Sequence, residues 1–404
     1  MSQSVVIVGA GHGAGQVVAS LKQHSFVGRI VLVGEEPYLP YQRPPLSKKY
    51  LAGEMLPERL YFKPASFYAD DNIDIMLDTR VERIDRDLHE VSTSGGQSIA
   101  YDKLVIATGS RVRSVGVPGA DLAGIHYLRS IGDVDAIRND IENAASIVIV
   151  GAGYIGLEVA AVCRQAGLRV TVVEMAERVM SRVVSEQVSA FYEQLHASHG
   201  VDIRLSTGIA AFKGAGRLTH VVTSTDERIA ADMAVIGVGI TPNTGLAEDA
   251  GLSVDNGIVV DDRCQTEDPD IYAIGDCTSH PNSIYDRRLR LESVHNALEQ
   301  AKTAAANICG IETHYAQVPW FWSDQYDVKL QIAGLSQGYD ETVLRGNPAD
   351  AGFVCFYLRN GTLIAVDAIN SPREFMQSKP LIANHASIEA GVLADKEVLL
   401  RDLA

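Results

Sequence analysis

The feature that most constrains this chain is a pattern that occurs twice. Val5-Val6-Ile7-Val8 runs into Gly9-Ala10-Gly11-His12-Gly13-Ala14, a helical stretch, and then Arg29-Ile30-Val31-Leu32-Val33-Gly34-Glu35. Ile147-Val148-Ile149-Val150 runs into Gly151-Ala152-Gly153-Tyr154-Ile155-Gly156, a helical stretch through Ala166, and then Arg169-Val170-Thr171-Val172-Val173-Glu174. Each copy reads strand, glycine-rich turn, helix, strand, acidic residue. Short β-branched runs without polar alternation are the pattern of parallel strands buried on both faces. Glycines at such a turn let the backbone approach a pyrophosphate at the helix N-terminus, where unpaired N–H groups and the helix dipole favour negative charge. Ala14 at the third position is compatible with that fingerprint.

A single glycine turn of this kind is a weak signal, equally consistent with tight packing of strand on helix. Two copies in the same context predict two bound dinucleotides, and electron transfer between them is the natural use of both. Further strands are predicted at Lys103–Ala107, Ala234–Val238 and Asp270–Ile274, and a helix from Ser293 to Ile308 with Gly310 as its stop signal. After Val318 aromatic residues become dense, and Lys329–Ala333 and Leu363–Ala368 read as antiparallel strands. The expected architecture is α/β: two Rossmann-like dinucleotide-binding domains and a C-terminal α+β domain. The boundaries fall at 1–111 with 240–318 for the first, 112–239 for the second inserted within it, and 319–404 for the last.

Composition narrows the function classes. A net charge of −16 argues against a nucleic-acid binder, which needs a basic footprint. No apolar run approaches the length of a membrane span. The first residues show no charged leader, apolar h-region or cleavage site. The five cysteines, Cys163, Cys264, Cys277, Cys309 and Cys355, are scattered without a Cys-x-x-Cys pair. Together these features predict a cytoplasmic protein with no membrane insertion, and no metal site is expected.

Glu35 and Glu174 stand where a carboxylate accepts bonds from ribose hydroxyls and repels a 2′-phosphate, so Glu174 favours NADH over NADPH. Arg178, close in sequence, works against strict preference. Three more segments follow a set order around the glycine turns: Tyr41-Gln42-Arg43-Pro44-Pro45-Leu46-Ser47-Lys48, Ala107-Thr108-Gly109-Ser110, and Thr266 through Asp276. With Gly153-Tyr154-Ile155-Gly156-Leu157-Glu158, Glu292-Ser293-Val294 and Pro319-Trp320-Phe321-Trp322-Ser323-Asp324-Gln325-Tyr326, they make the chain similar, over essentially its whole length, to a known group. It resembles the two-dinucleotide-binding flavoproteins of the glutathione-reductase type. Within them it is most similar to the FAD-dependent NADH:ferredoxin reductases of bacterial oxygenase systems, of the putidaredoxin reductase kind.

That resemblance implies roles for individual residues. Gly9, Gly11, Gly13 and Ala14 would cradle the FAD pyrophosphate, with Glu35 on the adenosine ribose and the Val81 backbone at the adenine. Ala107, Thr108 and Gly109 would pass under the cofactor, and Arg43 and Arg129 would contact it. Gly275 and Asp276 would meet the ribityl chain, while Ser293 and Val294 would present a helix N-terminus to the flavin pyrimidine edge. Gly151, Gly153, Tyr154, Ile155, Gly156 and Glu174 would hold NAD, and Gly239 would line the nicotinamide approach. Trp320 against the flavin rests on the resemblance alone; by itself it reads as packing. Lys48 would lie beside the flavin ring. A lysine buried alone tends to lose its proton, and Glu158, on the helix of the second glycine turn, is the partner expected to keep it charged. Lys48 and Glu158 are therefore the candidate catalytic pair; the bland readings are a surface lysine and a helix-surface carboxylate.

The chain departs from the disulfide-reducing members at one place. The segment from Arg43 to Leu51, where they carry a cysteine pair, contains no cysteine. Thiol–disulfide exchange needs a dithiol, so the flavin is left to pass electrons to an outside acceptor. The resemblance implies a small acidic two-iron two-sulfur ferredoxin serving a monooxygenase or dioxygenase. Arg287, Arg288 and Arg290 form a basic cluster that could receive it, or an ordinary solvated face. The alternatives are an NADH oxidase or quinone-type reductase, and a protein in which FAD and NAD govern interactions with partners.

Overall fold

A computed structural model describes residues 3–403. The chain divides into two compact units, one formed by residues 1–42, 57–111 and 241–319, the other by residues 43–56, 112–240 and 320–404.

The first unit is built on a parallel five-stranded sheet. Its order is Ile271–Ala273, Lys103–Ile106, Ser4–Val8, Arg29–Val33 and Ile73–Met76. The central strand carries the first glycine turn, so the helix His12–Gln23 starts at the carboxyl edge of the sheet. That helix packs through Ala14, Val17, Val18 and Leu21 against Ala301, Ala304, Ala305 and Ile308 of the helix Val294–Ile308. Alanines at these positions let the two helices come close. The other face of the sheet packs on an antiparallel meander, Val81–Asp85, Glu90–Thr93 and Ser98–Ala100, through Val6, Val8, Val81, Val91 and Ile99.

The second unit repeats this plan and adds to it. Its parallel sheet runs Asp202–Arg204, Arg169–Val173, Ser146–Val150, Met233–Ile236 and Ile125–Tyr127. All five residues of Ser146–Val150 are buried, as a central strand covered on both faces requires. A meander of Ile209–Lys213, His220–Thr223 and Arg228–Ala230 again covers one face, with Phe212 and Val221 packed on Val148 and Ile236. Residues 320–404 add an antiparallel sheet in the order Trp320–Gln325, Val328–Gly334, Thr362–Ile369, Gly352–Arg359 and Glu341–Asn347, backed by the helix Pro372–Ala383.

The segment 43–56, expected within the first domain, groups with the second unit. Polar contacts account for this. Tyr50 Oη donates to Asp135 Oδ1 at 2.8 Å, Arg43 Nη1 donates to the Arg129 carbonyl at 2.5 Å, and Lys48 pairs with Glu158 at 2.6 Å. The predicted helix begins at Val294, with Ser293 as its cap and Gly310 at φ +78° beyond its end. Among the described residues no helix is long and apolar enough to cross a membrane. Nor does any group of three or more His, Cys, Asp or Glu among them form a possible metal site.

Candidate functional site

The two glycine turns share one construction. Gly9 has φ +113°, and an added Cβ would lie 2.3 Å from the Ala107 carbonyl oxygen. Gly151 has φ +105°, with its Cβ 2.4 Å from the Gly237 carbonyl oxygen. Only glycine can turn that sharply against a neighbouring strand. Gly11 and Gly153, by contrast, are the N-caps of their helices, and a Cβ on either would meet nothing within 4 Å. Neither helix has a side-chain cap at its start. Each turn therefore offers unpaired N–H groups to an open space whose lack of side chains the protein's own packing does not require. That is the arrangement a dinucleotide pyrophosphate fits.

The acidic residues of the two copies are held differently. Val8 pairs with Val33 and Val150 with Val173, so Glu174 occupies the position of Gly34, and Glu35 lies one residue further on. The Glu35 side chain is 71% exposed, with Arg80 at 3.5 Å. Glu174 instead accepts from the Ala152 N–H at 2.7 Å and from the Ala176 N–H at 2.9 Å, which ties it to the glycine turn. A carboxylate retains lone pairs after two such bonds, so ribose hydroxyls can still donate to it. The Arg178 guanidinium is spent on its own loop, donating to the carbonyls of Ser181 and Val184 at 2.8 Å each.

In the first unit the remaining candidates cluster around the glycine turn. Ala107 borders Gly9; Thr108 donates to the Asn243 carbonyl at 2.8 Å and its own carbonyl accepts from Asn243 at 2.9 Å, which holds Gly109 at φ +61°. Asp276 accepts from Ser110 at 2.7 Å, beside Gly275 at φ +80°. Gly13 packs on Ile274, where a Cβ would come within 2.9 Å of its terminal methyl. Ala14 and Val81 are core residues. Ser293 accepts from the Asn296 N–H at 3.1 Å, which leaves Val294 at the head of its helix. Sequence reasoning missed Gln300, a buried side chain that accepts from the Gly275 N–H at 2.7 Å and from Thr278 at 3.1 Å, fixing the Asp276 turn. Its only sequence signal is a polar residue on the buried stripe of an alanine-rich helix.

In the second unit Lys48 and Glu158 meet. Lys48 Nζ is 2.6 Å from Glu158 Oε2, and their side chains are 16% and 3% exposed. Ser47 donates to Oε2 at 2.5 Å and Ser323 to Oε1 at 2.7 Å, so the carboxylate is fully engaged. Ser47 and Ser323 were not singled out as site residues. Tyr154 is half-buried, and its backbone opens the helix behind the turn. Ile155 is exposed beside the turn, and a Cβ on Gly156 would meet the Gly151 carbonyl at 2.1 Å. Gly239 has φ +104° with open space around it. Trp320 is half-buried, 5.4 Å from Trp322 and 5.8 Å from Phe375 between ring centroids. Arg43 and Arg129 adjoin through the bond already described.

Comparison with known proteins decides the family. Residues 3–301 match the pyridine nucleotide-disulphide oxidoreductase family, and residues 320–404 match the reductase C-terminal domain. The chain belongs to the pyridine nucleotide-disulphide oxidoreductases. It is 44% identical over 391 residues to a ferredoxin–NAD(P)(+) reductase of Sphingomonas sp., covering 96% of this chain and 94% of that one. It is 42% identical over 408 residues to putidaredoxin reductase of Pseudomonas putida, covering 100% and 97%. The covalent putidaredoxin reductase–putidaredoxin complex contains a chain that matches with a TM-score of 0.96 at 42% identity, over 99% of this chain and 98% of that one. The protein is an oxidoreductase of the ferredoxin reductase type.

The disulphide chemistry in the family's name has no counterpart here. All five cysteines are free. Burial pushes the Cys163 and Cys355 thiols up to about 12 and raises those of Cys264, Cys277 and Cys309 as well. Thiols in that state are not nucleophiles at neutral pH.

The arginines of the basic cluster also make contacts within their own unit. Arg288 donates to the carbonyls of Val260 at 2.6 Å and Ser279 at 2.5 Å, and Arg290 pairs with Glu292 at 2.5 Å. Arg288 and Arg290 thus have partners among the oxygens of the adjacent strand and turn, and Arg287 and Arg288 are exposed at the surface.

Proposed function

We propose that the protein takes a hydride from NADH into bound FAD and passes electrons singly to a small acidic two-iron two-sulfur ferredoxin that serves an oxygenase. The observation that carries this reading is the pair of open glycine cradles in one chain whose cysteines are all unpaired, four of them buried. When bound, FAD supplies the conversion of a two-electron donor into a one-electron source.

The chain's own residues supply binding, orientation and charge. Gly9, Gly11 and Gly13, with the first helix behind them, hold the FAD pyrophosphate, and Asp276, positioned by Ser110, accepts from the ribityl chain. Gly153, Ile155 and Gly156 hold NAD, with Glu174 on its ribose; its charge disfavours a 2′-phosphate, and the engaged Arg178 does not offset it. Lys48 brings positive charge to the flavin, and Glu158 keeps that charge in place at 2.6 Å. The FAD-binding domain is 1–111 with 240–318, the NAD-binding domain 112–239 and the closing domain 319–404. The cytoplasm, where thiols stay reduced, suits five unpaired cysteines. Arg287, Arg288 and Arg290 are the docking candidates, with Arg287 and Arg288 exposed.

The test is anaerobic NADH-driven reduction of purified two-iron ferredoxins, with oxygen consumption measured in parallel. Fast turnover of a ferredoxin with slow oxygen use is the expected outcome. Fast oxygen or quinone reduction without ferredoxin turnover would overturn it in favour of an oxidase.

A further inference from the structure

The strand Trp320–Gln325 breaks the usual rule for a buried face. Ser323 and Gln325, two apart and so on the same side, are both 0% exposed. They do not point at apolar neighbours but extend a chain of hydrogen bonds. Ser323 Oγ lies 2.7 Å from Glu158 Oε1, Gln325 Nε2 lies 3.1 Å from Ser323 Oγ, and Gln325 Oε1 lies 2.8 Å from His196 Nε2. His196, in the helix Glu186–Ser198, is itself 0% exposed, and its Nδ1 is 3.4 Å from the Tyr326 hydroxyl. The Tyr326 ring stacks on His199 at 3.7 Å.

The direction of every bond is forced. An ionised carboxylate only accepts, so Ser323 must give its single proton to Glu158 and can only accept from Gln325. The Gln325 amide nitrogen is thereby committed, and its oxygen needs a donor. His196 must then carry its proton on Nε2 and present a bare Nδ1, which accepts from Tyr326. All the donors along the line point toward one acid.

We propose that Ser323, Gln325 and His196 are positioning residues that hold Glu158 as an anion, and through it hold Lys48 protonated where it acts on the flavin. This rests on the reading of Lys48 as the residue beside that ring. Polarised chains of this kind strengthen each member in a low-dielectric interior. A neutral His196 is what the chain demands, and burial lowers its pKa to about 4. The phenols that neighbour Glu158, those of Tyr154 and Tyr192, are raised by burial and stay neutral, as does Tyr326, pushed up to about 12. Lys48 is the cation paired with the acid. The arrangement also explains why a strand of the last 85 residues carries polar side chains inward (residues 320–404).

Two measurements test it on the FAD-loaded protein. The first is 15N NMR of the histidine side chains, with His196→Gln identifying the resonance. The expected result is a proton on Nε2, none on Nδ1, and no titration between about pH 5 and pH 9. An Nδ1–H tautomer, or titration near the ordinary histidine value, overturns the proposal whatever the variants do. The second is the pH profile of anaerobic flavin reduction by NADH. Ser323→Ala removes one charge-assisted bond from the acid, so the acid limb moves up by about one pH unit. Ser323→Thr, which keeps the hydroxyl, restores it. An unmoved limb in Ser323→Ala with full FAD content overturns the proposal. Lys48→Met separates the two levels. If it reduces at the wild-type rate, the reading of Lys48 fails and this inference with it; if it is slow while Ser323→Ala is unmoved, this inference alone fails.

Discussion

The two glycine turns began from one pattern and are held by different means. In the first, shape comes from neighbours: a would-be Cβ on Gly13 lies 2.9 Å from Ile274, and one on Gly15 lies 2.9 Å from Pro40 and 3.1 Å from Phe62. Its third position tolerates the methyl of Ala14, which is fully buried. Its acid, Glu35, stands free of the turn. In the second, the turn is self-contained. Glu174 grips the Ala152 N–H, and the third position must be glycine because a Cβ would strike the Gly151 carbonyl. The comparison teaches that a shared binding pattern constrains the backbone and leaves the means of rigidity open. A turn braced by its surroundings suits a cofactor that stays bound. A turn braced by its own carboxylate suits a ligand that comes and goes.

The largest effects should fall equally on both copies. Gly9→Ala and Gly151→Ala each force a side chain into a positive-φ turn against a carbonyl, at a cost above about 3 kcal/mol. Urea unfolding should show both losses, and a loss at only one turn would break the parallel. The third position should separate the copies. Gly156→Ala should cost about 2 kcal/mol or more, whereas Ala14→Gly should cost only about 1 kcal/mol from helix propensity. Equal losses there would contradict the register that sets Ala14 opposite Gly156.

The acids should differ next. Glu174→Gln removes charge-assisted bonds from both the turn and the ribose, so the KM for NADH should rise about 10-fold and the discrimination against NADPH should fall. Glu35→Gln breaks no bond to its own turn, so FAD retention should fall by less than that factor. Steady-state kinetics with both nucleotides and the flavin absorbance of purified protein read these out. The smallest stability effects belong to Gly11→Ala and Gly153→Ala, within about 0.5 kcal/mol of wild type. Their cost should appear only in ligand: weaker FAD retention for the first, a raised KM for NADH for the second. A stability loss at either would mean the glycine serves folding and not the dinucleotide.

Much of this was legible from local pattern. The two βαβ repeats, the glycine positions, the acid at Glu174, the helix begun at Ser293 and the pairing of Lys48 with Glu158 all follow from periodicity, turn chemistry and residue type, or from resemblance. The extra Gly34 already sets Glu35 one residue beyond the place of Glu174 in the sequence; local pattern could not tell that Glu174 bonds back to its own turn while Glu35 does not. Nor could it tell that Arg288 and Arg290 also bond within their own unit. Three arginines in four positions look the same in sequence whether they face water or backbone carbonyls.

The sequence by itself determined what each segment is: strands buried on both faces, helices nosed by glycine, a segment without cysteine where thiol chemistry would need one. Those properties depend on neighbours a few residues away. Tertiary structure alone decided which polar groups share a boundary. Ser47 and Ser323 reach Glu158 directly, and Gln325 and His196 through Ser323, from three separate stretches of chain, and Gln300 reaches back to Gly275. The physical reason is that a buried polar atom must find a partner wherever the fold brings one, and that requirement leaves no periodic trace in the chain.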